Sequence, residues 1–200
     1  MTNAPRIAAI HRSTRETRIS GRLALDGNRE IRITTGIGFL DHMLTALAFH
    51  AGWDLELECH GDLEVDDHHT AEDCALAVGE ALDGALGDRA GINRFGEAHA
   101  PLDEALARTV VDLSGRPWPE IHLGLTREAL GGLGCENITH FFVSLATAAR
   151  CALHVDVLRG ANDHHRAEAA FKATALALRQ ATAVCAGGVR STKGSLGGAP

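Results

Sequence analysis

The sequence predicts an α+β fold built by tandem duplication of a half-domain, with a mainly antiparallel sheet and helices on one face. Two internal matches and their periodicities lead there. His68-His69-Thr70-Ala71-Glu72 and His164-His165-Arg166-Ala167-Glu168 both read H-H-x-A-E, 96 residues apart. Upstream, the stretch from Asp41 to Ala48 aligns with that from Thr139 to Ala146 at an offset of 98. At the same offset Trp53, Leu55, Leu57 and Cys59 align with Cys151, Leu153, Val155 and Val157. Three matching elements in one order are a duplication, not a coincidence.

Extended segments are expected to flank Ser20-Gly21, and a further strand falls near residues 30–35. The helix carrying His42 comes next. The alternation through Trp53, Leu55, Leu57 and Cys59 then has the period of two that marks a half-buried strand. After a loop, Ala71, Cys74, Ala75, Val78, Leu82 and Ala85 recur at helical spacing, as do their counterparts Ala167, Ala170, Phe171, Thr174, Leu178 and Ala181. Each H-H-x-A-E therefore opens a core-packed helix, with Asp67 and Asp163 as N-cap candidates. The second half repeats the series, with strands near 107–113 and 120–125, the helix of His140, and the strand beginning near Cys151. The offset falls from 98 to 96 before the last helix, so the preceding loop is two residues longer in the first half. Glycines and mixed charges near 87–96 mark the seam. The expected divisions are a first repeat over 1–88, a second over 89–187 and a C-terminal segment over 188–200 that closes on substrate.

Composition excludes several function classes. With 45% hydrophobic residues in 200, the chain has material for a core. A net charge of −7 opposes wrapping a nucleic acid backbone, and with 4% aromatic residues and no Tyr a base-stacking platform is not expected. No apolar run approaches the roughly 18–20 residues of a membrane span, and the first twenty residues lack the apolar core of a secretory signal. Five cysteines without a C-x-x-C pair form neither a disulfide framework nor a thiolate zinc site. The expected location is cytoplasmic.

Twelve histidines are the unusual feature, and half of them recur at matched positions. Residues four apart share a helix face, so His68 with Glu72, and His164 with Glu168, can each grip one ion. His69 and His165 project about 100° around the axis from their neighbours, so each serves a different ion. With His42 and His140 the set is six imidazoles and two carboxylates, or three His and one carboxylate for each of two metals. Nitrogen and oxygen donors of this kind suit Mn, Fe, Ni or Zn. One such histidine would more often cap or solvate its helix; six at repeat-matched positions point to metal.

Nine strings in order give the chain a family likeness. They are R-S-T-R-E-T at Arg12, G-I-G-F-L-D-H-M at Gly36, D-D-H-H-T-A-E-D at Asp66, N-R-F-G at Asn93 and L-D-E-A-L at Leu102. S-G-R-P at Ser114, H-F-F-V-S-L-A at His140, D-H-H-R-A-E-A-A-F-K-A at Asp163 and S-T-K-G at Ser191 complete the series. In these the chain resembles imidazoleglycerol-phosphate dehydratases over nearly its whole length. The resemblance implies a ribosomal S5 domain 2-like fold in duplicate, two Mn2+ per active site, and a homo-oligomer of twenty-four subunits with sites between subunits. It carries the metal ligands to His42, His68, His69, Glu72, His140, His164, His165 and Glu168, the set the repeat selects. It carries substrate contacts to Glu16, His50, Arg94, Arg116, Lys172, Ser191 and Lys193. Arg190 departs from the family's usual proline, Thr139 from its usual acid before the histidine, and Leu102 from its more frequent Met.

The implied reaction is a dehydration of D-erythro-imidazole-glycerol phosphate to imidazole-acetol phosphate in L-histidine biosynthesis. It would run through a di-manganese-bound imidazolate and a diazafulvene. Glu16 is the candidate general base, as a substrate-side carboxylate outside the ligand set. Arg94, Arg116, Ser191 and Lys193 are candidates for the phosphate, where charge-assisted bonds are strongest. Two other readings use the same residues: a binuclear metallohydrolase of small phosphate esters, and an oligomeric metal-binding protein without turnover. Neither a nucleic acid nor a membrane is an expected partner.

Overall fold

Alternating burial decides how the strands pair and which way they face. The structure, a computed structural model, describes residues 5–192, 194 and 196. The first half runs β1 (Ile7–Ser13), β2 (Thr17–Ala24), β3 (Ile31–Thr34), α1 (Gly38–Ala51), β4 (Asp54–Gly61) and α2 (His68–Leu86). The second runs β5 (Phe95–Leu102), β6 (Ala105–Asp112), β7 (Trp118–His122), a small hairpin of β8 (Ala129–Leu130) and β9 (Leu133–Gly134), α3 (Cys135–Ala148), β10 (Ala152–Arg159) and α4 (Asp163–Thr182). The first sheet has the order β1-β2-β4-β3 and the second β5-β6-β10-β7. In both, only the last pair is parallel, so the sheets are mainly antiparallel and topologically identical.

The registers make the duplication residue-specific. Gly21 on β2 pairs with Leu57 on β4, and Thr109 on β6 pairs with Val155 on β10. Leu57 and Val155 are the counterparts found in the sequence, and both are buried. The six helical positions from Ala71 to Ala85 are all buried, as are their six partners from Ala167 to Ala181. Thr174, the polar member, hydrogen-bonds Thr109 through their hydroxyls at 3.1 Å, so its burial leaves no unmet donor.

α1 and α2 lie against the first sheet, α4 against the second and α3 against its β7 strand; α2 packs on α3 and α1 on α4. The helices of one half therefore meet those of the other. Phe141 and Phe142 on α3 and Phe171 on α4 are fully buried, with ring centroids 4.5–5.9 Å apart. Each such pair contributes about 0.5–1.5 kcal/mol beyond its buried area. Gly79 permits the close α2–α3 crossing: a Cβ there would lie 2.7 Å from Ala148 Cβ and 2.8 Å from the Leu145 carbonyl.

Two sequence expectations are corrected, and one strand is new. Ser20 and Gly21 lie inside β2, and the hairpin turn falls earlier. There Thr14 Oγ1 accepts from the N–H groups of Glu16 and Thr17 at 3.1 and 3.0 Å, a side-chain turn that competes with the ladder. Asp67 stands at the N-cap of α2 but its side chain does not cap it, and Asp163 is already the first residue of α4. Asp67 accepts from the Gly134 N–H at 2.6 Å, and Asp163 from those of Thr126 and Arg127 at 2.8 and 2.7 Å. The side chain that caps α4 is Asn162, which accepts from the His164 N–H at 2.9 Å. The two aspartates instead brace neighbouring loops against the histidine-bearing helix ends. β5 is an addition: its inward residues include Gly96 and Ala100, too small for an apolar pattern but suited to close packing against α4.

Candidate metal centre

Helix pairing across the halves gathers four of the six repeated histidines into two groups. On α1 and α4, Nε2 of His42 and Nε2 of His164 both lie 3.2 Å from Glu168 Oε2. On α2 and α3, Nε2 of His140 is 3.1 Å from Glu72 Oε1, and Nε2 of His68 is 3.9 Å from Glu72 Oε2. In each group two imidazole nitrogens and one carboxylate oxygen lie within 4.8 Å of one another. Small adjustments let a single ion with bonds of about 2.0–2.2 Å reach all three donors. Neutral imidazole and ionised carboxylate are the right chemistry for a divalent transition metal. The pairing is crosswise: each group takes its lone histidine from one half and its H-x-x-x-E pair from the other. Sequence alone left that open.

Local contacts orient these donors. His68 donates through Nδ1 to Asn137 Oδ1 at 2.8 Å, because an amide oxygen can only accept. That turns Nε2 toward Glu72. At the equivalent position in the first half stands Phe39, whose ring is edge-on to His164 at 5.1 Å. Burial pushes the Glu168 carboxyl up, but hydrogen bonding to Lys172, 2.7 Å away, and to His42 holds it below the ordinary range. Glu168 is thus ionised, as a ligand must be. His50 is lowered by burial and by the Lys172 charge, with Glu168 opposing. His50 and Lys172 therefore belong beside the first group.

His69 and His165 stand apart from both groups. His69 Nδ1 donates to Asp62 at 3.0 Å, and its Nε2 lies 3.7 Å from Glu16 Oε1. His165 Nδ1 donates to Glu104 at 2.7 Å. Both imidazoles are raised, chiefly by these hydrogen bonds. Glu104 is lowered to about 2 by His165 and by the N–H groups of Asn162 and Ala161. Glu16 sits in the β1–β2 turn, which α2 anchors: Asp73 accepts from Arg12 Nε at 2.7 Å and from the Thr17 hydroxyl.

Arg94, Arg116 and Ser191 line a cleft of about 740 Å³ together with Phe95, Arg190, Thr192 and Leu196. Arg94 has a left-handed backbone, with φ of 71°. Its guanidinium donates to both Asp112 oxygens, at 2.7 and 2.9 Å, and to the Arg190 carbonyl at 2.6 Å. It holds the C-terminal segment to the cleft wall. Lys193 lies outside the described residues. A slightly larger cleft, about 790 Å³ between β7 and the start of α3, contains none of the expected site residues. Among the described residues, then, the expected set occupies several places: two donor triads, the Glu16–His69 corner, the Glu104–His165 corner and the arginine cleft.

Two functional candidates escaped sequence reasoning. Asn137 could have been found from helical spacing, three residues before His140 on one face. Asp62 lies in the loop where the two repeats differ in length, so the internal alignment skipped it. No described helix is long and apolar enough to cross a membrane.

Comparisons with known proteins identify the family. The family model for imidazoleglycerol-phosphate dehydratase matches residues 35–178, from the turn before α1 into α4. A relative named imidazoleglycerol-phosphate dehydratase from Pyricularia oryzae is 51% identical, covering 96% of this chain and 98% of that protein. One of the same name from Phytophthora nicotianae is 62% identical over 96% of this chain, which spans only 42% of that longer protein. The crystal structure of the dehydratase from Staphylococcus aureus superposes with a TM-score of 0.81 at 37% identity, covering 89% of this chain and 99% of that one. A duplicated fold, crosswise His/Glu triads and likeness over nearly full length converge on one assignment: this chain belongs to the imidazoleglycerol-phosphate dehydratase family.

Proposed function

We propose that the chain is a hydro-lyase that converts imidazole-glycerol phosphate to imidazole-acetol phosphate in histidine biosynthesis, using two manganese ions per site. The observation that carries this reading is the pair of matched triads, His42/His164/Glu168 and His68/His140/Glu72. Divalent ions bound there would supply Lewis acidity to the imidazole nitrogens of the substrate. The chain's own residues do the rest. Glu16 would take the proton from the carbon next to the one that loses hydroxide, and Arg94, Arg116, Ser191 and Lys193 would hold the phosphate. His50 and Lys172 would contact substrate beside the first triad.

We further propose that His69 and His165 complete the triads of neighbouring copies, in an assembly of twenty-four. Support comes from their separation from both triads within their own chain. Glu16 lies 3.7 Å from His69 Nε2, so wherever His69 binds a metal, the base arrives with it. The divisions 1–88, 89–187 and 188–200 and a cytoplasmic location belong to the same reading.

The test combines a dehydratase assay with metal analysis before and after chelation, on the same phosphorylated imidazole. Water loss that disappears with about two metals per chain and returns on adding Mn2+ is the expected result. Release of inorganic phosphate without dehydration would instead make the chain a hydrolase. Metal uptake with neither reaction would make it a binding protein.

A further inference from the structure

We infer that Asp62 and Glu104 are positioning residues for the outer histidines, and that Asp62 is what leaves Glu16 available for chemistry. This rests on the metal reading above. The strand registers define equivalence between the repeats without reference to side chains. Gly21 opposite Leu57 corresponds to Thr109 opposite Val155. Five residues before each stands a glutamate, Glu16 in the β1–β2 turn and Glu104 in the β5–β6 turn. The two carboxylates are therefore counterparts, and they sit beside counterpart histidines.

Their surroundings differ. Glu104 is fully engaged: one oxygen accepts from His165 Nδ1 at 2.7 Å, the other from the N–H groups of Ala161 and Asn162 at 3.0 and 2.8 Å. It ties the hairpin to the loop before α4 and fixes the ring, so Nε2 of His165 points away from it. In the first half the same task falls to Asp62. Its two oxygens lie 3.0 and 3.2 Å from His69 Nδ1. Asp62 comes from the loop after β4, where the second repeat has Gly160. Glu16 meets the opposite edge of His69, at Nε2 and at 3.7 Å.

The same Nδ1 contact thus arises from non-equivalent positions in the two halves. Inheritance from one ancestral half would place it at equivalent ones. A carboxylate at Nδ1 fixes the tautomer with a free lone pair on Nε2, the state a metal ligand requires, and raises its basicity. A second supplier in the first repeat releases that repeat's glutamate to face the reacting side. The duplicated scaffold in this way yields one committed carboxylate and one free one.

The test uses the full chain, wild type against D62A, D62N, E104A, E104Q, E16A and E16Q. It measures Mn2+ affinity by titration, with thermal melting as the check on folding. D62A and E104A should bind metal about 10- to 100-fold more weakly while still melting cooperatively. D62N and E104Q, which keep an acceptor oxygen, should recover most of that loss. E16Q and E16A should both bind metal as wild type does, E16A in contrast with its counterpart E104A. If D62A and E104A bind as tightly as wild type, or if the conservative variants lose as much as the alanines, the positioning role is wrong. If wild type itself takes up no metal, the metal reading falls first and this one with it.

Discussion

Glu16 and its neighbours show how single side chains acquire a role from what anchors them. Its turn is fixed from below by Asp73, buried on α2, which holds Arg12 and Thr17 on either side of the turn. The carboxylate itself is half-exposed and faces His69. E16Q keeps the shape and the hydrogen-bonding edge but cannot accept the proton. We expect kcat to fall by about 10²–10⁴ with KM and metal content near wild type; turnover near normal would remove Glu16 from the reaction. At this scale the sequence was informative about residue type and nearly silent about orientation. The two H-H-x-A-E strings named six candidate ligands and the other repeated helix added His42 and His140, but only the fold shows that Nε2 of His68 turns toward Glu72 while His69 turns to Glu16.

Among the elements, the α2–α3 crossing carries His68, Glu72 and His140 together. The helices approach closely at Gly79, where an added methyl would contact Ala148 and the Leu145 carbonyl below 3.0 Å. In an isolated helix Gly79→Ala would gain about 1 kcal/mol of propensity. Here the clash costs about 1–3 kcal/mol and falls on backbone, which yields least. We expect a net loss of stability and a parallel weakening of metal binding, read from melting and titration of the same sample. A variant more stable than wild type would mean the helices can separate at no cost. The helices themselves were legible from their period; this crossing was not, since a glycine within an apolar pattern is equally consistent with plain tolerance.

Across the whole molecule, Arg89 joins the two halves. Its side chain is buried between the seam and the end of α3, donating to the Ala149 and Arg150 carbonyls at 2.9 and 3.0 Å and pairing with Asp83 of α2. Arg89→Ala would leave two carbonyls without their donor and Asp83 with only the longer Arg150 contact at 3.7 Å. Losing this part-buried ion pair together with the donors to two carbonyls costs about 3–5 kcal/mol in all. In a chain of this size each kcal/mol lowers Tm by roughly 2–4 °C. We expect a loss of about 6–20 °C in one cooperative transition; an unchanged Tm would show that the seam bears no load. Cooperative unfolding is expected because the helix layers interlock and neither sheet keeps its own helices to itself.

The sequence by itself determined the duplication, the class of most major elements and which residues are candidate donors. Periodicity and repetition are properties of spacing along the chain, and they survive without coordinates. The tertiary structure decided which candidate donors come together, which carboxylate braces a histidine and which stays free, and that Arg94 holds the C-terminal segment. Those outcomes depend on distances between residues far apart in the chain. Such distances are set by which helix packs on which sheet, and the spacing within any one segment carries no record of them.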